Sequence, residues 1–158
     1  KRLHAAVVEA GLATGVVLLV IMASAAIGWL LTFDRMPDGI VQWAQAHLSS
    51  GWSVILLMNL LMLVCGMFID LPAAVLLLTP IFVPLAAMAG MDTVQLGVMM
   101  VVNLAIGLYT PPVGTTLFIT SSIAKVKIGE TVRAMTPFYL VALLVLLLMS
   151  YVPALTIR

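Results

Sequence analysis

Five long stretches of this chain carry no ionisable side chain: Ala10–Phe33, Gly51–Ile69, Leu71–Met91, Thr93–Ala124 and Ala134–Ile157. A helix needs about 20 apolar residues, at about 1.5 Å each, to cross a bilayer, and charges within that length are costly. Lipid offers no hydrogen-bond partner to open backbone, so spans of this kind are helices. With 64% hydrophobic and 8% charged residues, the chain reads as an all-α polytopic membrane protein whose solvent is the lipid bilayer. The same figures exclude a nucleic-acid binder, which needs a basic face, and a disordered chain, which needs low hydrophobicity. An enzyme is not expected. Cys65 is the sole cysteine, and His4 and His47 lie too far apart for a paired zinc motif. Neither histidine falls in a candidate span, as a buried Ser–His–Asp site would require.

The first and last runs suit single spans, and the middle three do not. A lone Asp70 separates the second from the third, leaving no room for an aqueous loop. The fourth is too long for one straight crossing and carries Pro111-Pro112 near its middle. Two consecutive prolines remove two backbone donors and cannot continue a helix smoothly. The chain opens on Lys1, without an initiator Met or a cleavable signal, and reads as a piece of a longer polypeptide.

Charge sets the expected orientation. Threading the runs in order puts Lys1, Arg2, Lys125, Lys127 and Arg133 on one side and only Arg35 and Arg158 on the other. The first side is then cytoplasmic and the C-terminus faces outward; Trp29, Trp43 and Trp52 fall near the outer boundary. Between the first two runs, Met36–Leu48 reads equally as an interfacial helix started by Asp38 or as a plain surface connector.

Two interruptions carry the functional expectation. Around Gly66–Pro72 one helix can end at Gly66 and another begin at Asp70 with Pro72 in its first turn. A re-entrant hairpin with Asp70 near the midplane is favoured over two full spans joined by a tight cytoplasmic turn. The second arm holds Pro72, Pro80 and Pro84, and no basic residue marks the turn. The second interruption, Gly107-Leu108-Tyr109-Thr110-Pro111-Pro112-Val113-Gly114, splits its run into two half helices. Broken backbone at that depth is tolerated only beside protein or a water-filled cavity. Two interrupted segments meeting at the midplane are a sequence pointer to a transporter's binding site. Carbonyls at the ends of the first arms, around Gly66–Phe68 and Ile106–Leu108, suit a small cation such as Na⁺. Helix starts at Pro72 and Val113 suit an anion, and Thr110, Thr115, Thr116 and Thr120 add hydroxyls. For Thr115 and Thr116, substrate binding and simple helix capping stand as equal readings. Asn59 and Asn103 read as interhelical glue, and the eleven Met residues as gap-filling core.

The order of these parts resembles the C-terminal half of the large membrane subunit of tripartite ATP-independent periplasmic (TRAP) transporters. The likeness runs over most of the chain and is sharpest in Gly66–Pro84, Gly90–Gly97 and Asn103–Phe118, followed by Pro137-Phe138 and Tyr151-Val152-Pro153. It implies one inverted repeat of an elevator-type ion-transporter fold, with a re-entrant helical hairpin and a discontinuous transmembrane helix. Residues 1–50 would be a scaffold helix plus an interfacial arm. Residues 51–133 would be transport-domain elements, the hairpin at 51–91 and the broken helix at 93–124. Residues 134–158 would be a C-terminal transmembrane helix. The resemblance further implies a bacterial inner-membrane symporter driven by Na⁺. Its expected partners are a small membrane subunit, a periplasmic substrate-binding protein and the N-terminal half of the same subunit. Its expected cargo is a small organic acid. By position, Gly66, Asp70, Thr110, Pro112, Val113 and Gly114 are Na⁺-site candidates, and Tyr109, Thr115 and Thr116 are substrate-site candidates. The sequence departs from the family pattern at Tyr109, where an aliphatic residue is expected, and at Thr115-Thr116, where an apolar residue followed by Asn is common. Two other readings compete: a dicarboxylate–sodium symporter working without a binding protein, and a non-transporting membrane scaffold.

Overall fold

A computed structural model of the chain describes residues 2–48 and 50–156. Lys1, Arg158 and the Ile157 end of the last apolar run therefore lie outside the described residues. Within them the chain is helical, with no strand. The helices are α1 (Arg2–Phe33), α2 (Met36–His47), α3 (Gly51–Gly66), α4 (Leu71–Met88), α5 (Thr93–Leu108), α6 (Thr115–Ala124) and α7 (Ile128–Tyr151), followed by a 3₁₀ turn at Pro153–Leu155. Three of them, α1, α4 and α7, are long and apolar enough to cross a membrane; α3, α5 and α6 are shorter apolar helices.

The breaks fall where charge and proline put them, and charge alone does not end a helix. α1 begins well before Ala10 and takes in His4 and Glu9, while α7 begins at Ile128, before Ala134. Glu130 lies in the first turn of α7, where a carboxylate complements the exposed N–H groups. The connector helix α2 forms, but Asp38 does not cap it. Its N-cap is Arg35, in the left-handed region at φ 53°, and Asp38 sits inside the first turn with no capping bond. Pro37 supplies the start that the Asp38 reading missed, because its fixed φ and missing donor suit the first turn.

α3 and α4 form an antiparallel hairpin. At its base, a Cβ on Gly51 would lie 2.8 Å from the Ala89 carbonyl, so only glycine allows the closure. α4 ends in a Schellman turn: the Met91 N–H donates to Ala86 O at 2.9 Å and the Gly90 N–H to Ala87 O at 3.1 Å. Gly90 takes φ +72° there. α4 continues as one helix through Pro80 and Pro84. Pro80 strips Leu76 O of its helical donor, and α1 approaches that carbonyl closely at Gly28. α1 and α2 thus lie against α4, while α3 and α5 pack together and α7 rests on both.

Phe82, Leu85, Leu104, Met58, Met62 and Met99 fill the core between α3, α4 and α5, which bears out the gap-filling reading of several methionines. Four buried polar side chains cross-link α3, α5 and α7. Asn103 Nδ2 donates to Asn59 Oδ1 at 2.8 Å and to Asn59 O at 2.9 Å. Asn59 Nδ2 donates to Ser150 Oγ at 3.1 Å, and Gln95 Nε2 to Ser150 O at 3.0 Å. Among buried side-chain polar atoms of the described residues, Asn103 Oδ1 is left without a partner.

Candidate functional site

The two interruptions meet. α3 ends at Gly66, and the chain turns through Met67–Asp70, with the Phe68 and Ile69 N–H groups both closing on Cys65 O at 3.0 and 2.8 Å. α5 ends at Leu108, and the chain turns through Tyr109–Gly114 before α6 starts at Thr115. The helix ends cross with bare backbone: a Cβ on Gly107 would fall 2.5 Å from Gly66 C and 2.6 Å from Gly66 Cα. A hydrogen bond then ties the turns together, Gly114 N–H to Met67 O at 3.3 Å.

Pro111 and Pro112 explain the open acceptors at the second break. Leu108 O would normally accept from the residues three and four further on, which are these two prolines. Neither Leu108 O nor Thr110 O accepts a hydrogen bond among the described residues. Both face Gly114: a Cβ there would lie 2.9 Å from Thr110 O and 3.3 Å from Leu108 O. Gly114 is itself left-handed at φ +43°, a conformation that other L residues adopt only with strain. Oxygen acceptors in unwound backbone are the donor set that small cations take in such folds. Among the described residues no cluster of His, Cys, Asp and Glu offers a side-chain metal site. The oxygens that a cation would meet at the crossing are backbone carbonyls of Leu108 and Thr110.

On the other side of the breaks lies a cavity of about 290 Å³. Its floor is the start of α4 (Asp70, Leu71, Pro72, Ala73), with Thr115 and Thr116 at the start of α6 and Leu108 beside them. Val16, Val17, Val20 and Ile21 of α1 form its apolar wall. Two helix N-termini therefore open onto one space, each presenting unpaired N–H groups. Asp70 occupies the N-cap position of α4 but its carboxylate makes no capping bond. The N-cap of α6 is Gly114, which puts Thr115 and Thr116 inside the first turn. The start expected at Val113 lies two residues later. Thr110 and Thr120 spend their hydroxyls on Ile106 O at 2.6 Å and Thr116 O at 2.9 Å.

The structure thus brings Asp70, Thr115 and Thr116 to the cavity, and sets Gly66, Thr110 and Gly114 at the crossing behind it. Pro112 and Val113 form the connecting turn. Tyr109 points elsewhere: its ring stacks on Tyr139 of α7 at 5.7 Å, and its carbonyl accepts from the Tyr139 hydroxyl at 2.7 Å. Sequence reasoning missed the α1 wall and Tyr139. Both are contacts between distant stretches that no local spacing announces.

Residues 1–155 match the family described as "Tripartite ATP-independent periplasmic transporter, DctM component". The chain is 60% identical, over 99% of its length, to the Sinorhizobium fredii protein y4mL, of which it covers 38%. It is 36% identical over 94% of its length to the C4-dicarboxylate TRAP transporter large permease protein DctM of Pseudomonas aeruginosa, of which it covers 35%. It is 40% identical over 94% of its length to the isethionate TRAP transporter permease protein DctMQ of Oleidesulfovibrio alaskensis, of which it covers 23%. The chain therefore spans well under half of each of these relatives. Helices fit for a membrane, two broken segments joined backbone to backbone, and a match over nearly the whole chain lead to one assignment: this chain belongs to the DctM family of TRAP transporter large permeases.

Proposed function

We propose that the chain supplies half of the binding site of a Na⁺-coupled permease that imports a small organic anion across the bacterial inner membrane. The observation that carries this reading is the pairing of two opposite electrostatic surfaces at one crossing. Unpartnered carbonyls of Leu108 and Thr110 face Gly114, while the N-termini of α4 and α6 open onto the 290 Å³ cavity. The first surface suits a cation and the second an anion. Asp70 on the cavity floor makes the two depend on each other. Its carboxylate repels an anionic substrate until a cation is nearby, so binding of the ion favours binding of the acid.

Two relatives are named for C4-dicarboxylate and isethionate, both small organic anions, which supports the same class here. In the full subunit, the chain's Gly51–Met91 hairpin and the Thr93–Ala124 broken helix would move as the transport unit against α1 and α2. The remaining half of the subunit, a small membrane subunit and a periplasmic binding protein would complete the assembly. The cluster of Lys125, Lys127 and Arg133 supports a cytoplasmic α6–α7 corner, with the end of α7 toward the periplasm.

Uptake by the complete transporter in proteoliposomes tests the proposal. It should require both a Na⁺ gradient and the binding protein. Thr115→Val and Thr116→Val, made separately, should each raise the substrate KM about tenfold, the loss of a hydrogen bond to a charged group. Uptake that ignores Na⁺ would remove the coupling. Uptake without a binding protein would point to a stand-alone symporter, and wild-type KM in both valine variants would move the anion elsewhere.

A further inference from the structure

Pro111 and Pro112 release more than one carbonyl. Tyr109 O loses its partner three residues on, because that residue is Pro112, and the fourth residue lies in the turn. Yet this carbonyl is not left open as those of Leu108 and Thr110 are. The Tyr139 hydroxyl donates to it at 2.7 Å, reached from α7 across a stacked pair of rings 5.7 Å apart and 11° from parallel. Each peptide unit is planar, and only two soft dihedrals separate it from the next. Pinning the Tyr109 carbonyl toward α7 therefore restricts the units on either side, whose oxygens face Gly114.

We propose that Tyr139 is a positioning residue of the broken helix. Its hydroxyl holds the Tyr109 carbonyl toward α7, so that the Leu108 and Thr110 carbonyls face Gly114 and set the affinity for the coupling cation. This inference rests on the Na⁺ reading above. It gives Tyr109 a role away from the substrate, as the ring that stacks on Tyr139 and the carbonyl that it holds. It also makes α7 a working part of the cation site, although no residue of α7 lines the crossing itself.

The molecule carries its own control. At the far end of α7, the Tyr151 hydroxyl donates to Trp52 O at 3.1 Å with rings stacked at 4.7 Å. The bond and stack are alike in chemistry, but they join α7 to the start of α3, far along the chain from the break.

The experiment measures Na⁺-dependent uptake by the complete transporter, with Na⁺ as the titrant. Tyr139→Phe keeps the ring and removes the donor. It should raise the Na⁺ concentration at half-maximal uptake about 3- to 10-fold, the effect of one hydrogen bond. Maximal uptake at saturating Na⁺ should stay within about twofold of wild type, on the same reasoning. Tyr151→Phe should leave Na⁺ half-saturation at the wild-type value. The inference is overturned if Tyr139→Phe keeps wild-type Na⁺ dependence, if it lowers only the maximal rate, or if Tyr151→Phe shifts Na⁺ half-saturation equally. Those three results leave the coupling proposal standing. Wild-type uptake indifferent to Na⁺ fells the coupling proposal and the inference with it.

Discussion

Replacing Gly107 by alanine puts one methyl group where α3 and α5 have left no space. The added carbon would stand 2.5, 2.6 and 2.9 Å from Gly66 C, Cα and O, all backbone atoms that no rotamer change can move. Ordinary van der Waals contact begins near 3.4 Å. The two helix ends must therefore separate by about 1 Å, a shift of the size that costs about 1–3 kcal/mol in a packed interior. The separation also stretches the Gly114 N–H bond to Met67 O, already 3.3 Å, beyond useful length. That loss adds about 1 kcal/mol. Gly97→Ala, in the same helix, is the matched comparison, since nothing lies within 4 Å of its added carbon. Both variants gain the same helix propensity, about 1 kcal/mol for Gly to Ala. The difference between them isolates the crossing and should be about 2–4 kcal/mol, roughly 30-fold or more in an unfolding equilibrium. Denaturant titration of the full-length subunit in detergent, followed by far-UV circular dichroism, gives the number. If Gly107→Ala and Gly97→Ala unfold at the same midpoint, the backbone crossing as described is wrong.

Gly114→Val meets both the left-handed φ of +43° and the Thr110 carbonyl 2.9 Å away. It should raise Na⁺ half-saturation on the order of tenfold, as about 1–2 kcal/mol of backbone strain deforms the break; Na⁺ titration of uptake reads it. Asp70→Asn removes the repulsion at the cavity floor, so the substrate KM should become less sensitive to Na⁺, and an unchanged KM-against-Na⁺ slope would refute the proposed link. In a background with Cys65 replaced, Asp70→Cys should react with an impermeant thiol reagent from the periplasmic side; labelling only from the cytoplasm would refute the re-entrant tip. Asn103→Leu forfeits two bonds to Asn59 but also removes an unpartnered buried oxygen, so the loss should be only about 1 kcal/mol by the same denaturant assay.

Much of this was legible in the chain because hydrocarbon leaves few options. Asp70 and Pro111-Pro112 interrupt apolar runs, and each interruption became a helix end. Thr115 and Thr116 were legible as the first turn after a break, but the sequence left open whether they cap that turn or line a cavity; the structure puts both on the cavity. Asn59 and Asn103 proved to bridge packed helices, as polar side chains in apolar runs tend to. What failed to show was direction. α5 is apolar around most of its circumference, so its periodicity does not say that Tyr109 turns toward α7 and away from the cavity. Tyr139 lies 30 residues further on in a helix of the same character. The Asp38 reading failed more locally: an acidic residue before an apolar stretch looks like a cap until Pro37, one residue earlier, starts the helix.

The cluster of Asn59, Asn103, Ser150 and Gln95 bears on how the chain assembles at all. Oil-like surfaces give helices this apolar scarcely any reason to prefer one rotation or one depth over another. Sliding α7 by a single turn, 5.4 Å, against α3 and α5 would part Ser150 from both Asn59 and Gln95. Rotating α5 would part Asn103 from Asn59. Four small polar groups thus work as a key: their bonds are worth little one at a time, but every misalignment breaks several together. The reach of this lock from α3 through α5 to α7 ties those three helices into one piece.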